Sequence, residues 1–496
     1  MITNLKEQTI KSFFWVFNIN ITMRILSFIR IVILARILNP DDFGLFGIAL
    51  ITVSIIEQLT QTGFQTALIQ KDSSINDYYN VYWTTQVLRS FVISFILFFI
   101  APLIASFFNE PRSINLIRIF AFTIIIRSFV NPAILILTKE LQFNKKYIYQ
   151  TIPNLIDFII TVIFAFYYRN VWALIFGLIG KTMTSLILSY IIVRHTPKFD
   201  IDFSKMRELS KYGRWVFLNN LIGYLCLESD KFFVSKIFGT ISLGFYQIGY
   251  RFSNLLTSEI TQTISAVTFP AYSKIQNEKA KLKQAFLKSF RLITFISLPI
   301  AILTIYFAKE LIIYILGEKW LPAINILRFL VLAGIFRSIS AIWGSLYYAT
   351  GVPKYDFIKN FCRLIIILSS IFPLLNRYGT EGAAISVFLG SIFTIIFDLI
   401  YIKYLNTLDL NLKELKENFI FNSISASFLV AFILMINYIF SNIDTGIIFT
   451  FCLIFTCIII YIFPQYLFKR KFKIIPFYEL METITSMLKS FKLKAL

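Results

Sequence analysis

The sequence predicts an all-α protein that crosses a membrane about fourteen times. Three observations support this fold class. The 496-residue chain is 57% hydrophobic and 15% charged, with a mean hydropathy of +0.72, whereas a soluble protein is typically about 25% charged. Apolar runs long enough to cross a hydrocarbon core about 30 Å thick recur along the whole chain. Lysine and arginine residues concentrate in alternate links between these runs, which is the positive-inside pattern.

We number the predicted spans as helices 1 to 14, with ends placed to within a few residues. Helices 1 to 6 are predicted at about 12–37, 43–66, 82–108, 114–138, 147–168 and 171–194. Helices 7 to 12 are predicted at about 213–238, 243–269, 288–315, 321–349, 356–376 and 381–404, and helices 13 and 14 at about 418–440 and 446–467. No link between them is long enough to hold a folded soluble domain.

The basic residues predict the orientation of the chain. Roughly thirty lie in the links on the N-terminal side of the membrane and about seven on the opposite side, so both termini are predicted to be cytoplasmic. The same distribution accounts for the net charge of +21 without nucleic-acid binding. The first apolar stretch lacks a small-residue cleavage site and is expected to remain as helix 1. The basic tail at 469–496 is predicted to be an amphipathic helix on the inner leaflet or a disordered segment.

The two halves of the chain resemble each other. Residues 42–46 (DFGLF) correspond to residues 242–246 (SLGFY), and Arg36-Ile37 corresponds to Lys236-Ile237, an offset of 200. At an offset of 210, Arg118, Arg127-Ser128 and Gly180 correspond to Arg328, Arg337-Ser338 and Gly390. We therefore predict two pseudo-symmetric six-helix lobes with the same orientation, at 1–200 and 201–410. Helices 13 and 14 follow at 411–468, and the cytoplasmic tail occupies 469–496.

Polar side chains form stripes inside four of the predicted helices. Spacings of three and four residues place the members of a stripe on one helix face, and helices 2 and 8 share the same order of four, three and four. The stripes comprise Asn20, Arg24, Ser27 and Arg30 on helix 1; Ser54, Gln58, Gln61 and Gln65 on helix 2; Asn220, Tyr224, Glu228 and Lys231 on helix 7; and Asn254, Ser258, Thr261 and Ser265 on helix 8. Taken singly, the serines and threonines are better explained as interhelical hydrogen-bonding groups. The register between the two copies predicts that helices 1, 2, 7 and 8 line a water-accessible cleft.

Charged side chains within the spans predict a binding site. Each costs roughly 2.5–3.5 kcal/mol at the membrane centre on insertion scales, so it needs a partner or water. Cations outnumber anions, and the arginine fork suits phosphate, which predicts an anionic, phosphorylated amphiphile as substrate. The acidic members are expected to pair with arginines in the empty protein. The predicted substrate-binding residues are Arg24, Arg30, Glu57, Gln58, Gln61, Arg127, Glu228, Asp230, Lys231, Arg251, Asn254 and Arg337.

The remaining reactive residues predict neither a metal site, a cofactor nor a catalytic centre. The four cysteines lie in apolar segments without a CxxC pair, and the single histidine, His195, adjoins Arg194 at a helix end. Arg118 and Arg328 lie closer to the outer face and are expected to extend their guanidinium groups toward it. Internal pairing is the expected role of Asp157, Lys181, Arg363 and Asp398.

Two motifs resemble a known family. The segments ARILNPDDFGLFGIALITVSIIEQLTQTGFQTALIQKD (35–72) and NVYWTTQVLRS (80–90) resemble the polysaccharide transporter family, the Wzx-type lipid-linked oligosaccharide flippases of the multidrug/oligosaccharidyl-lipid/polysaccharide (MOP) exporter superfamily. They are most similar to its colanic-acid and teichuronic-acid exporter branch. LESDKFFVSKIFGTISLGFYQIGYRF (227–252) resembles the second-lobe motif of the same family.

The resemblance implies the MOP flippase fold, with six, six and two helices and a central cavity lined by helices 1, 2, 7 and 8. It also implies export of an undecaprenyl-pyrophosphate-linked glycan across the bacterial inner membrane by alternating access, with Arg24 and Arg30 meeting the pyrophosphate. The product would serve O-antigen, capsule or exopolysaccharide assembly. The expected partners are the lipid-linked oligosaccharide, membrane lipids, and a polysaccharide polymerase with other assembly proteins, but no nucleic acid.

Two other functions remain open at this stage. A drug or cation antiporter of the same superfamily would favour an acidic cavity, whereas the predicted cleft is basic. A membrane-embedded glycosyltransferase or polymerase would need catalytic residues in sizeable outer loops, and the outer links here are short.

Overall fold

The structure is a computed structural model that describes residues 2–61, 76–140, 142–257, 265, 268–404, 412–439, 447–467 and 476. Contacts divide the chain into two compact units, Met1–Ile248 and Gly249–Leu496. The predicted stripe members Gln65, Ser258 and Thr261 lie outside the described residues, as does the predicted tail apart from residue 476.

The first unit is built from long helices. They are α1 (Ile2–Ile37), α2 (Pro40–Leu59), α3 (Asn76–Phe107), α4 (Ser113–Ser128), α5 (Phe143–Tyr168) and α6 (Trp172–Ile192). A further helical stretch, Phe203–Leu256, is interrupted at Gly239, where φ is 76°, and gives α7 (203–238) and α8 (240–256). Helix α8 continues into the second unit. Asn39, 200 residues before Gly239, similarly separates α1 from α2, so both copies of the repeat bend at corresponding positions.

The second unit contains α9 (Lys279–Tyr306), α10 (Ile324–Ala349), α11 (Lys354–Tyr378), α12 (Thr380–Tyr404), α13 (Leu412–Ile439) and α14 (Ile447–Leu467). The packing of the first unit recurs in it: the pairs α3–α4, α5–α6 and α4–α6 are matched by α9–α10, α11–α12 and α10–α12. This shared packing follows from the sequence repeat. Helices α13 and α14 pack on each other and on α9, around Phe295, Cys457 and Tyr461.

The lipid-facing character of the helices is visible on their surfaces. Leu103, Tyr167, Tyr438 and Ile448 are 68%, 84%, 88% and 77% exposed, and a soluble protein would not present such an extensive apolar surface to water. Within the described residues, eleven helices are long and apolar enough to cross a membrane. The all-α, multi-pass membrane fold is therefore confirmed, while the number of fourteen spans stays a prediction.

Three predicted spans are not among the eleven. Helix α7 carries several charges, and the predicted end of helix 8 lies outside the described residues. The prediction of one continuous helix 4 at 114–138 is wrong, because α4 ends at Ser128. Pro132 begins a separate 3-10 turn, and the Asn131 side chain accepts a hydrogen bond from the Ala133 amide at 3.0 Å. Proline cannot donate the backbone hydrogen bond that would continue the helix.

Candidate functional site

A polar cavity of about 820 Å³ lies within the first unit, among α2, α3, α4, α6 and α7. We call it the polar cavity. The stripe predicted on helix 2 faces it, because Ser54, Gln58 and Gln61 all belong to its lining. Its other polar lining residues include Glu57, Tyr82, Gln86, Arg89, Arg127, Lys181, Thr182, Ser185, Asn220 and Tyr224.

An ion pair between Glu57 of α2 and Arg127 of α4 lies at the wall of the polar cavity. The Arg127 side chain is 61% exposed and that of Glu57 is 22% exposed, so the guanidinium remains open to the cavity while it holds the carboxylate. Nearby, the Gln58 Nε2 amide is buried and has no hydrogen-bond acceptor among the described residues. A buried amide donor of this kind costs free energy until it finds an acceptor.

Arg89 and Lys181 also line the polar cavity, although neither is among the predicted substrate-binding residues. Arg89 donates from Nη2 to the Glu57 carbonyl at 2.6 Å and to Thr60 Oγ1 at 3.0 Å. It therefore bonds one backbone carbonyl and one side-chain hydroxyl at the end of α2, where carbonyls lack helical partners. A signal for it was present, since Tyr82, Gln86 and Arg89 have the same four-then-three spacing as the stripe on helix 2.

The charge of the polar cavity is basic. Its lining contains the cations Arg89, Arg127 and Lys181 and one carboxylate, Glu57. This excess of positive charge agrees with the predicted preference for an anionic ligand, although it comes from partly different residues. Arginine keeps its charge and offers a planar pair of donors to phosphate oxygens.

Arg30 does not line the polar cavity, and its partner is not one of the acidic residues predicted for the site. It pairs with Asp157 of α5, and its Nη2 donates to Thr161 Oγ1 at 3.2 Å. Asp157 is 3% exposed. Helix α6 closes over the pair at Gly177, where an added Cβ would overlap Thr161 Oγ1 and lie 2.5 Å from Asp157 Oδ1. The pair ties α1 to α5; Arg24, half-buried on the same helix, does not line the polar cavity either.

The predicted charges of helix 7 form local contacts on α7 and α8. Lys231 Nζ lies 2.7 Å from Glu228 Oε1, and it also donates to the Leu227 carbonyl at 2.9 Å. The Asp230 carboxylate accepts a hydrogen bond from the Tyr246 hydroxyl at 2.5 Å. None of these three charged residues lines the polar cavity, whereas Asn220 and Tyr224 of the same helix do.

The second unit contains a counterpart of the Arg127 contact. Arg337, which corresponds to Arg127, donates from Nη2 to Asn254 Oδ1 at 3.1 Å, and its guanidinium lies 6.0 Å from the centre of the Tyr250 ring. Asn254 corresponds to Ser54 on α2. In each copy, therefore, an arginine of the fourth helix (α4 or α10) contacts a polar side chain of the second helix (α2 or α8). Arg251, half-buried on α8, lies beside this pair in sequence.

The NPDDFG motif forms a reciprocal contact with its repeat, which we call the outer contact. A Cβ added to Gly44 would overlap the carbonyl oxygen of Thr240, and a Cβ added to Gly244 would overlap that of Pro40. Each contact is the other shifted by 200 residues, as expected around a pseudo-two-fold axis. Only glycine permits backbones to approach so closely.

Polar bonds reinforce the outer contact. The Thr240 hydroxyl donates to Asp41, and Arg112 pairs with both Asp41 and Glu110 at 2.6 Å. Hydrogen bonds to Glu110 and to Asp41 raise the pKa of Arg112 above its ordinary value. Lys236 adds a bond to the Phe107 carbonyl at the end of α3. Helices α2, α3, α7 and α8 thus meet at one end of the first unit.

Comparisons with known proteins agree with this architecture. Residues 33–325 match the model of the family described as "Polysaccharide biosynthesis protein". A Klebsiella pneumoniae relative, an uncharacterized membrane protein in the cps region, is 29% identical over 390 residues, which are 77% of this chain and 79% of that protein. The Escherichia coli K12 lipopolysaccharide biosynthesis protein WzxC is 25% identical over 390 residues, 78% of each chain.

Solved structures identify the fold. The lipid II flippase MurJ, in its inward closed conformation, has a TM-score of 0.73 at 16% identity and covers 91% of this chain and 98% of its own. An inward-facing MATE multidrug transporter of the MOP superfamily has a TM-score of 0.63 at 17% identity, and the match covers 78% of this chain and 96% of that transporter. The predicted MOP flippase fold is confirmed. Since the family model matches more than half of this chain, the chain belongs to the polysaccharide biosynthesis protein family.

Proposed function

We propose that this protein is a flippase that moves an anionic, undecaprenyl-pyrophosphate-linked oligosaccharide across the bacterial inner membrane by alternating access. The single observation that carries the proposal is the polar cavity, in which Arg89, Arg127 and Lys181 outweigh Glu57. Its volume of about 820 Å³ falls in the range of known ligand pockets, roughly 300–1,000 Å³. The sugar-pyrophosphate head group would enter this cavity, while the polyprenyl chain would stay in lipid.

Arg127 is the proposed primary phosphate contact. In the empty protein its charge is compensated by Glu57, and an incoming phosphate would replace that carboxylate with a group of greater negative charge. Lys181 would approach from α6 as a second cation. In this proposal the Gln58 amide and Gln61, which line the polar cavity, donate to phosphate or sugar oxygens, and a ligand oxygen would satisfy the buried Gln58 Nε2.

Other predicted site residues have proposed roles at a different stage of transport. Arg30 would have to exchange Asp157 for a phosphate before it could bind substrate. We propose the same later engagement for Arg24 and Arg251, and for the residues whose side chains now contact other protein side chains: Glu228, Asp230, Lys231, Asn254 and Arg337. Alternating access would also require the outer contact to separate.

The relatives support the biological context. Their names include a succinoglycan biosynthesis transport protein of Rhizobium meliloti and a teichuronic acid biosynthesis protein of Bacillus subtilis. We infer that the chain serves O-antigen, capsule or exopolysaccharide assembly from the inner membrane, with both termini cytoplasmic and a polysaccharide polymerase among its partners. It would act as a transporter without catalytic residues.

A drug or cation antiporter is the second proposal, favoured by the similarity of fold to the MATE transporter. The basic lining of the polar cavity argues against it, because an organic cation would meet like charges. A membrane-embedded glycosyltransferase or polymerase is a weaker alternative, since the polar cavity presents a single carboxylate, Glu57.

The test uses a strain that lacks this gene and makes its surface polysaccharide only when the gene is supplied. Arg127→Ala removes the phosphate contact, and loss of a charged hydrogen bond predicts a fall in export on the order of tenfold to a hundredfold. Lipid-linked oligosaccharide should accumulate at the inner leaflet. The control is Lys281→Ala, whose exposed side chain forms a surface pair with Glu278. Normal export by correctly inserted Arg127→Ala, or uptake of organic cations in place of glycan export, would overturn the proposal.

A further inference from the structure

A second cavity lies on the outside of the first unit, between α3 and α4. It measures about 570 Å³ and is lined by Phe91, Val92, Phe95, Phe98, Phe99 and Phe122, together with Arg118. We call it the phenylalanine groove. Phe95, Phe99 and Phe122 are 66%, 62% and 56% exposed. Because α3 is one of the membrane-crossing helices, these rings face the lipid phase rather than water.

Arg118 is the only charged residue that lines the phenylalanine groove. Its Nε donates to the Phe98 carbonyl at 3.4 Å, and its guanidinium lies 4.6 Å from the centre of the Phe98 ring. These two contacts hold the guanidinium against α3. Among the described residues, no carboxylate pairs with it and no acceptor contacts its terminal nitrogens Nη1 and Nη2.

Arg328, the corresponding arginine in the second unit, has an additional side-chain partner. Arg328 Nε donates to the Ile305 carbonyl at 3.1 Å, so the bond to the preceding helix is repeated. Arg328 Nη1 also donates to Asn325 at 3.3 Å. The residue equivalent to Asn325 is Asn115, which is exposed and makes no such bond to Arg118. The first copy therefore keeps polar donors available beside an apolar groove.

We propose that the phenylalanine groove binds an anionic phospholipid, with an acyl chain along the rings and the phosphate on Arg118. Arg118 lies five residues after the start of α4, about 8 Å along the helix, so its long side chain can extend toward lipid phosphates at that helix end. An anionic head group complements the uncompensated guanidinium better than a zwitterionic one, whose ammonium would add a like charge. A second copy of the chain meeting this face by two-fold symmetry would place two Arg118 side chains together. This inference does not depend on the transported substrate.

Photocrosslinking tests the proposal on the full-length protein in vesicles of equal phosphatidylglycerol and phosphatidylethanolamine. The probe is Phe95→p-benzoylphenylalanine, and the matched control is Tyr167→p-benzoylphenylalanine on α5, where the side chain is also highly exposed. Mass spectrometry gives the ratio of phosphatidylglycerol to phosphatidylethanolamine adducts. We expect the ratio at position 95 to exceed that at position 167 about fivefold, the preference one basic residue near a lipid surface provides.

Second-site variants test whether the lipid preference depends on the charge of Arg118. Arg118→Gln should reduce the ratio at position 95 to the control value, whereas Arg118→Lys should retain a preference for phosphatidylglycerol because the cation remains. Both must elute as the parent does on size-exclusion chromatography. Equal ratios at the two positions, an unchanged ratio in Arg118→Gln, or adducts to a second copy of the chain would each overturn the proposal.

Discussion

Substitution of Gly44 by alanine should separate the outer contact. The added Cβ would lie 2.8 Å from Thr240 Cα, while ordinary contact begins at 3.4 Å, and it would overlap the Thr240 carbonyl oxygen. Since both obstacles are backbone atoms, the two segments must move apart. Overpacking of this kind costs about 1–3 kcal/mol, and an equilibrium biased by that amount shifts roughly fivefold to 150-fold.

The assay measures how fast a membrane-impermeant maleimide applied outside the cell labels Asn220→Cys, a position in the polar cavity. The four native cysteines are first replaced. Labelling should accelerate by the same factor as the equilibrium shift. Gly244→Ala should match Gly44→Ala, because its Cβ meets Pro40 in the same way.

Gly223→Ala in α7 is the matched control. An added Cβ there has no neighbour within 4 Å, so only the general gain of alanine over glycine in a helix, about 1 kcal/mol, applies. Equal labelling rates in the parent, Gly44→Ala and Gly223→Ala would refute the reasoning. Acceleration in Gly44→Ala without acceleration in Gly244→Ala would refute the symmetry of the contact.

Two further predictions concern buried ion pairs, and both are measured as melting temperatures in detergent. Asp157→Asn leaves Arg30 without its carboxylate and should lower the free energy of unfolding by about 3 kcal/mol. The double variant Arg30→Met with Asp157→Leu should recover most of that stability. Equal melting temperatures for the single and double variants would contradict this prediction. Asp398→Asn removes the carboxylate from a buried cluster in which Lys359 Nζ lies 3.4 Å away and Ser340 and Tyr347 donate at 2.7 and 2.8 Å. It should destabilise as strongly, while Glu278→Gln, in an exposed pair, should cost less than about 1 kcal/mol.

The faces of individual helices were predictable from the sequence. The spacing of Ser54, Gln58 and Gln61 places them on one side of a helix wherever that helix lies, and the structure gives that side a cavity. The repeat likewise predicted that Arg127 and Arg337 would have matching roles, and each contacts a polar side chain on the second helix of its own copy, Glu57 or Asn254.

The partners across helices were less predictable, because periodicity does not specify which helix lies opposite. Arg30 and Asp157 are 127 residues apart in the chain, and no spacing rule connects them. Their pairing depends on the packing of α1 against α5. Arg89 was missed for a different reason: its spacing with Tyr82 and Gln86 was visible, but its role in closing the end of α2 depends on tertiary contact.

The helix break before Pro132 could have been predicted from the sequence itself. The residue before a proline is disfavoured in the helical conformation, and the Asn131 side chain accepts a hydrogen bond in the turn that follows. The apolar run through 114–138 hid this local signal. The second copy has no proline at the equivalent position, Ile342, and α10 is continuous there.

The outer contact also has a bearing on how such a chain can arise. Gly44 meets residue 240 and Gly244 meets residue 40, so the same surface serves as both partners, as in an isologous homodimer. A single ancestral six-helix subunit, paired with an identical copy, would make both contacts with one glycine. Gene fusion would then preserve an interface that already worked, and it would free each copy to diverge elsewhere, as the equivalent positions Ser54 and Asn254 have done.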